Sequence, residues 1–198
     1  MKWLAAAFVL ALQVQGIAAK VQPLHVEGNQ LVADGKPVRL RGINWGWWHL
    51  SGTRYTEADM RHLAEWGANT VRLAFSYNDL ETDDNPAVWK EDGFKDLDDV
   101  AQWAKRYGIH LILDMHVTPG GQSPQPYCAG GHNSLWTDAT EQSRFVALWS
   151  EIARRYRDRP EVAAYELMNE PGSPQKKAPG LLRYACASAR HRQRSATS

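Results

Sequence analysis

The run "YELMNEP", Tyr165 to Pro171, sets an amide and a carboxylate side by side at the end of an apolar, strand-like stretch, Val162 to Met168. A carboxylate held at a strand tip by a rigid scaffold can give or take a proton. An amide next to it can hold a hydroxyl group of a substrate. Glu170 is also the last acidic residue of the chain, with 28 residues following it. Three earlier strand-like runs share this habit of ending on polar or aromatic groups: Asn44 and Trp45 close the first, Arg72 lies near the end of the second, and His116 closes the third. Acid–base and hydrogen-bonding groups at four successive strand ends are what a site built on one edge of a sheet requires.

The elements that must position these groups follow from periodicity and end signals. "LHVEGNQLVADGKPVRLRG" alternates and carries two turn signals, Gly28-Asn29 and Asp34-Gly35, which predict a β-hairpin leading into a strand from Val38 to Asn44. In "TEADMRHLAEWG", Thr56 with Asp59 three residues on is a capping box; Met60, Leu63 and Ala64 share one helical face, and Gly67 stops the helix. "ANTVRLAF" (68–75) is the second strand. "FKDLDDVAQWAKRYG" is a helix with Phe94, Leu97, Val100, Ala101 and Ala104 on one side and Gly108 at its end. "IHLILDMH" (109–116) is the third strand, followed by a Gly/Pro-rich loop over 117–136. A helix then turns Phe145, Leu148, Trp149, Ile152 and Tyr156 inward and is stopped by Pro160, and "VAAYELMNE" is the fourth strand. Alternation of this kind predicts a parallel sheet. An open doubly wound sheet carries a glycine-rich phosphate turn after its first strand; Asn44-Trp45-Gly46-Trp47-Trp48-His49 cannot form one. The expected fold is therefore a (β/α)8 barrel, whose sites are built from the C-terminal ends of its strands. The inner faces of Ile43, Val71, Leu73, Leu111 and Leu113 are expected to point into that barrel.

Cleavage of a glycosidic bond needs two carboxyl groups, one to protonate the leaving oxygen and one to attack the sugar or activate water. Glu170 can supply one of them. The chain resembles glycoside hydrolase family 5, the cellulase family, over roughly residues 24–171. The motifs are "VRLRGINWGWW", "GANTVRLAF", "GIHLILDMHVTPGG" and "YELMNEP", in order and at barrel spacing. The resemblance implies a general acid/base role for Glu170 and a contact from Asn169 to the sugar 2-hydroxyl. It matches Arg72 to the second-strand arginine that keeps the nucleophile carboxylate ionised, and His116 to the third-strand histidine near the cleaved bond. Trp45, Trp47 and Trp48 are candidates for stacking on sugar rings, because a pyranose face is apolar; core packing is the competing role for at least one of them. Trp66, Trp89, Trp103 and Trp149 suit helix packing or surface, and His110, which alternates within its strand, suits a structural role. The substrate implied is a β-glucan or related polysaccharide, with endo-β-1,4-glucanase activity and retention of configuration expected. Mannanase and β-1,3-glucanase are the alternatives within the class, and a non-catalytic sugar-binding remnant or a gene-model fragment are the alternatives outside it. No cofactor and no metal is implied.

Composition narrows the partners. The chain has 198 residues, 23 Lys/Arg against 22 Asp/Glu, and a net charge of +1, which argues against nucleic acid. The first residues read as a signal peptide over 1–19: Lys2, an apolar run from Trp3 to Leu12, and small residues with cleavage expected after Ala19. That run is shorter than the ~20 residues a membrane span needs, so a secreted or periplasmic protein, free of the membrane after cleavage, is expected. Cys128 and Cys186 could pair or stay free. The glycosidase region is expected over 20–171. The segment 172–198 stands apart as an atypical basic tail, expected to be disordered or frame-shifted: residues 171–198 hold six Lys/Arg and no acid, a bias that suits a frame-shifted or truncated reading, with a genuine basic tail as the alternative. A full barrel needs ~250 residues, so the expectation is a barrel truncated after about the fourth strand, inactive alone. The nucleophile, which the resemblance places on the seventh strand, is absent from this chain, and a complete protein is expected to be a monomer.

Overall fold

The computed structural model describes residues 21–46, 54–124 and 132–172. The expected signal peptide, Trp47, Trp48, His49, both cysteines and the basic tail lie outside these residues.

The described residues open with a three-stranded antiparallel sheet, β1 (His25–Glu27), β2 (Gln30–Ala33) and β3 (Lys36–Pro37), turning at the two glycine signals read from the sequence. The next strand, β4 (Gly42–Trp45), begins four residues later than expected. Residues 38–41 form a connection: Val38 N–H bonds back to Leu31 of the hairpin (2.8 Å), while the main chain of Arg39 and Arg41 bonds forward to Asn69, the residue before the second strand of the parallel sheet.

From β4 onward the alternation holds. Helix α1 (Glu57–Glu65) starts on the Thr56/Asp59 capping box, with both reciprocal bonds present. Strand β5 (Thr70–Ser76) follows, then a short helix α2 (Tyr77–Leu80) that the sequence reading missed, then α3 (Glu91–Tyr107). Gly108 closes α3 at φ 73°, a left-handed position that costs a side chain dearly. Strand β6 (His110–Val117), a single 3₁₀ turn at Ser134–Trp136, helix α4 (Ala139–Tyr156) and strand β7 (Val162–Glu166) complete the described chain. Helix α4 ends at Tyr156 with Arg157 as its C-cap, so Pro160 lies in the turn after it rather than at its stop. β7 ends at Glu166, four residues short of the strand end expected at Glu170.

Strands β4-β5-β6-β7 are all parallel and adjacent in that order. The helices pack on one face of this sheet, and every residue expected on the buried sides of α3 and α4 is buried. Val71, Leu73, Leu111 and Leu113, at most 1% exposed, lie in this same core. They therefore face the helices, not the barrel interior as expected. The strand period of two gives the other face to their neighbours Arg72, Ile112 and Asp114. Ile43 shares the helix-side parity but sits on the edge strand, 47% exposed. Among the described residues, no helix is long and apolar enough to cross a membrane.

Candidate active site

Because the four strands are parallel, their C-terminal ends lie on one side. The inner-face residues there form a connected polar network. Register pairs Asn44 with Arg72 across β4 and β5, and Asp114 with Glu166 across β6 and β7. Arg72 is the hub. Its Nε and Nη2 donate to the two carboxylate oxygens of Glu166, each at 2.7 Å. Nη1 donates to Asn44 Oδ1 (2.7 Å) and Nη2 to Asn169 Oδ1 (2.9 Å), while Asp114 Oδ2 lies 3.0 Å from Nη2. This fork-on-fork geometry is the strongest form of Arg–carboxylate pairing. It pushes the Arg72 guanidinium pKa up and holds Glu166 below its ordinary value, the hydrogen bond between them being the leading cause of both.

Asp114 is fully buried. Burial pushes its carboxyl pKa up and outweighs the opposing pull of His116 and Arg72. Its Oδ2 lies 2.7 Å from His116 Nδ1. In the neutral ring that bond puts the proton on Nδ1 and leaves Nε2 to accept, and Asn169 Nδ2 stands 3.3 Å from Nε2. The Asn169 side chain, 8% exposed, is thus gripped at both ends: its oxygen by Arg72 and its nitrogen by His116.

Asn169 and Glu170 do not sit on the strand itself. They lie on the turn beyond it, and two packing devices place that turn. Trp149 of α4, edge-on to Phe75 and Tyr165, donates its indole N–H to the Leu167 carbonyl at 3.0 Å. Gln122, fully buried in the loop after β6, donates to the carbonyls of His116 and Asn169, both at 2.8 Å. Glu170 itself is exposed and has φ 40°, a left-handed backbone that costs a non-glycine residue of order 1–3 kcal/mol. Its charge contributes to raising the Arg72 pKa.

Of the residues named from the sequence, Arg72, His116 and Asn169 are joined by direct contacts, and Glu170 stands next to Asn169 at the same end of the sheet. Trp45 is not part of this group. It is 2% exposed, stacked on Tyr55 with ring centroids 4.4 Å apart, and paired in register with Leu73 on the helix side. Its strand parity, opposite to that of Asn44, takes it away from the polar face, so the sugar-stacking expected of it is corrected to core packing. Trp47 lies outside the described residues. Trp136 is nearly buried and donates its indole N–H to the Gln122 carbonyl at 2.8 Å, a structural role. His110 lies buried on the inner face toward the start of β6, where burial pushes its pKa down.

The sequence reading missed Asn44's bond to Arg72, Asp114, Glu166 and Gln122. Two of these carried a signal. Asp114 and Glu166 are charges inside strands that otherwise read as apolar, and a buried charge asks for a partner. Gln122 carried none; its role depends on contacts that only the folded loop creates. Among the described residues, no cluster of three or more His, Cys, Asp or Glu is arranged to hold a metal.

Comparison with known proteins gives a consistent picture. Endoglucanase C of Acetivibrio thermocellus is 37% identical over 158 residues, 75% of this chain and 45% of that protein. A beta-xylosidase of Phanerodontia chrysosporium is 40% identical over 122 residues, 61% of this chain and 26% of that one. The chain thus spans less than half the length of these curated relatives. Among solved structures, an endogalactoceramidase superposes with a TM-score of 0.68 at 21% identity, covering 88% of this chain and 51% of its own. An endoglucanase of Pseudomonas stutzeri superposes with a TM-score of 0.61 at 22% identity, covering 77% and 48%. These likenesses concern the fold, and the parallel β4–β7 sheet with its helices is a portion of a (β/α)8 barrel. The model of the family described as Cellulase (glycosyl hydrolase family 5) matches residues 31–189, so the chain belongs to that family.

Proposed function

We propose that this chain is the acid/base-bearing part of a secreted glycoside hydrolase that cuts β-1,4-glucan with retention of configuration. The observation that carries the reading is Asn169 held between Arg72 and His116, with Glu170 beside it, at the C-terminal end of the parallel sheet. In this reading Glu170 protonates the departing glycosidic oxygen and then activates the water that releases the sugar. Asn169, its amide held by Arg72 and His116, keeps an N–H for the sugar 2-hydroxyl. Arg72 also offers positive charge to a second carboxylate. A retaining site needs that second carboxylate ~5–5.5 Å from the first, and no Asp or Glu follows Glu170 in the sequence. The endoglucanase relatives support β-glucan as substrate. The apolar stretch from Trp3 to Leu12 supports export, which N-terminal sequencing of protein recovered from the medium would check: a start at Lys20 is expected, and an intact Met1 would overturn it.

The test compares three proteins on carboxymethyl cellulose: the 198-residue chain, the chain fused to the C-terminal half of a related barrel that brings its own nucleophile, and that fusion with Glu170→Gln. The fusion should hydrolyse the polymer and the substituted fusion should not, while the chain alone should be far weaker. Full activity of the Glu170→Gln fusion would refute the acid/base role. Strong turnover by the chain alone would refute the need for a carboxylate from the added half.

A further inference from the structure

The turn that carries Glu170 needs an explanation, because nothing in its own sequence favours it. Residue 170 is a glutamate in a left-handed backbone, followed by a proline. Such a conformation persists only where its surroundings over-determine it. One residue supplies bonds on both sides. Gln122 Nε2 donates to the carbonyl of Asn169, the residue before Glu170, at 2.8 Å. The Gln122 main-chain carbonyl accepts from the N–H of Gly172, two residues after Glu170, at 2.9 Å.

Gln122 is itself locked. Its Nε2 also donates to the His116 carbonyl at 2.8 Å. Its Oε1 accepts from the N–H and the hydroxyl of Thr118 at 3.2 and 3.1 Å. Two donors and two acceptor sites account for the whole hydrogen-bonding capacity of a side-chain amide, and the residue is 0% exposed. Trp136 holds its carbonyl from the far side. The approach is close enough to dictate a glycine: a Cβ on Gly172 would stand 2.7 Å from Pro124 Cδ and 3.0 Å from Ser123 Cα.

We propose that Gln122 is a positioning residue for Glu170: a clamp that ties the loop after β6 to the turn after β7, so that the carboxylate and His116 are held as one unit. This rests on the reading of Glu170 as acid/base. A side chain that donates to the main chain beside both His116 and Glu170 fixes their relative placement without touching a substrate. Glutamine suits the task because it is long enough to bridge two strand ends and carries two donors on one atom. A methionine would fill the same space and donate nothing.

The experiment reads the turn directly in the 198-residue chain by NMR, so it does not depend on turnover. The wild type should show the carbon shifts and the HN–Hα coupling of a left-handed residue at Glu170, together with a protected Gly172 amide. In Gln122→Met, Glu170 should move toward negative φ and the Gly172 amide should exchange at least tenfold faster, while the amides of α4 keep their protection. Thr118→Val leaves the glutamine in place and removes one bond that orients its amide. It should give the same change at smaller size, and it stands as the test if the methionine variant does not fold. Unchanged Glu170 shifts and unchanged Gly172 exchange in a folded variant would overturn the clamp. So would equal acceleration at Gly172 and throughout α4, which is the behaviour of a residue that only stabilises the fold. The outcomes separate cleanly from the functional reading: an active Glu170→Gln fusion removes the acid/base role and leaves the clamp, whereas an unmoved turn removes the clamp and leaves the acid/base role.

Discussion

Replacing Arg72 by Met tests the polar network at its hub. The substitution keeps much of the apolar stem and removes the guanidinium. Two carboxylates lose their counter-charge: Asp114, whose side chain is 0% exposed, and Glu166, which is 38% exposed. Breaking a buried pair by deleting one partner costs about 3–5 kcal/mol, because a buried charge is left uncompensated. Glu166 can turn to water and contributes little of that, so the loss belongs mostly to Asp114 and should be about 3 kcal/mol at pH 7. The sign with pH follows from the two groups. In the native protein Glu166 is depressed, so its contribution is present above its ordinary value of 4.5 and is lost as pH falls through its folded pKa. In the variant, Asp114, already raised by burial in the native protein, rises further, because the opposing pull of Arg72 is gone and that of His116 alone remains. Its protonated form fits the fold, and the variant loses stability as pH rises through that elevated value. The gap between wild type and Arg72→Met should therefore widen from about pH 4 to about pH 7. Urea unfolding followed by tryptophan fluorescence at several pH values measures it. A gap below about 1 kcal/mol at pH 7, or one of equal size at both ends, would refute the claim that Arg72 neutralises a buried carboxylate.

Trp45→Ala should destabilise the chain by about 3–5 kcal/mol, the usual cost of emptying a buried indole site; a stable variant with weakened binding of cello-oligosaccharides, seen by calorimetry, would restore Trp45 to sugar stacking. Gly93→Ala should cost about 2–3 kcal/mol, because its Cβ would fall 1.8 Å from the Asp79 carbonyl oxygen, where backbone of α2 and α3 meets and cannot yield cheaply; thermal unfolding reads it, and an unshifted midpoint would contradict that contact. Glu151, bonded to Arg154 and Arg155, is held down to about 2, so its stabilisation, about 1–3 kcal/mol after allowance for solvent, is present above pH 4.5 and lost as pH falls toward 2; Glu151→Gln should remove that part of the acid-side loss, and an identical acid profile would count against it.

The sequence by itself determined the elements whose causes are local. A capping box joins residues three apart, a helix stop needs one glycine, and an apolar helical stripe repeats every turn. So α1, α3 and α4 were readable with their buried faces, and the parallel order followed from the alternation of strand and helix. The convergence of Arg72, His116 and Asn169 was readable for the same reason: parallel strands put all their C-terminal ends together. What the sequence could not supply was parity. In a sheet covered on both sides the period of two says that neighbours face opposite ways, not which way. That one unresolved sign sent Leu73 and Leu113 to the wrong face and left Trp45 a candidate for sugar when it is core. The charge partners were also beyond reach. Arg72 and Glu166 lie 94 residues apart in the chain, yet their groups meet at 2.7 Å. Only the tertiary structure makes that pair, because strand register, not sequence distance, decides which inner-face side chains touch. It likewise decides Gln122, a loop residue of no motif whose bond to the Asn169 carbonyl exists only once the ends of β6 and β7 lie side by side.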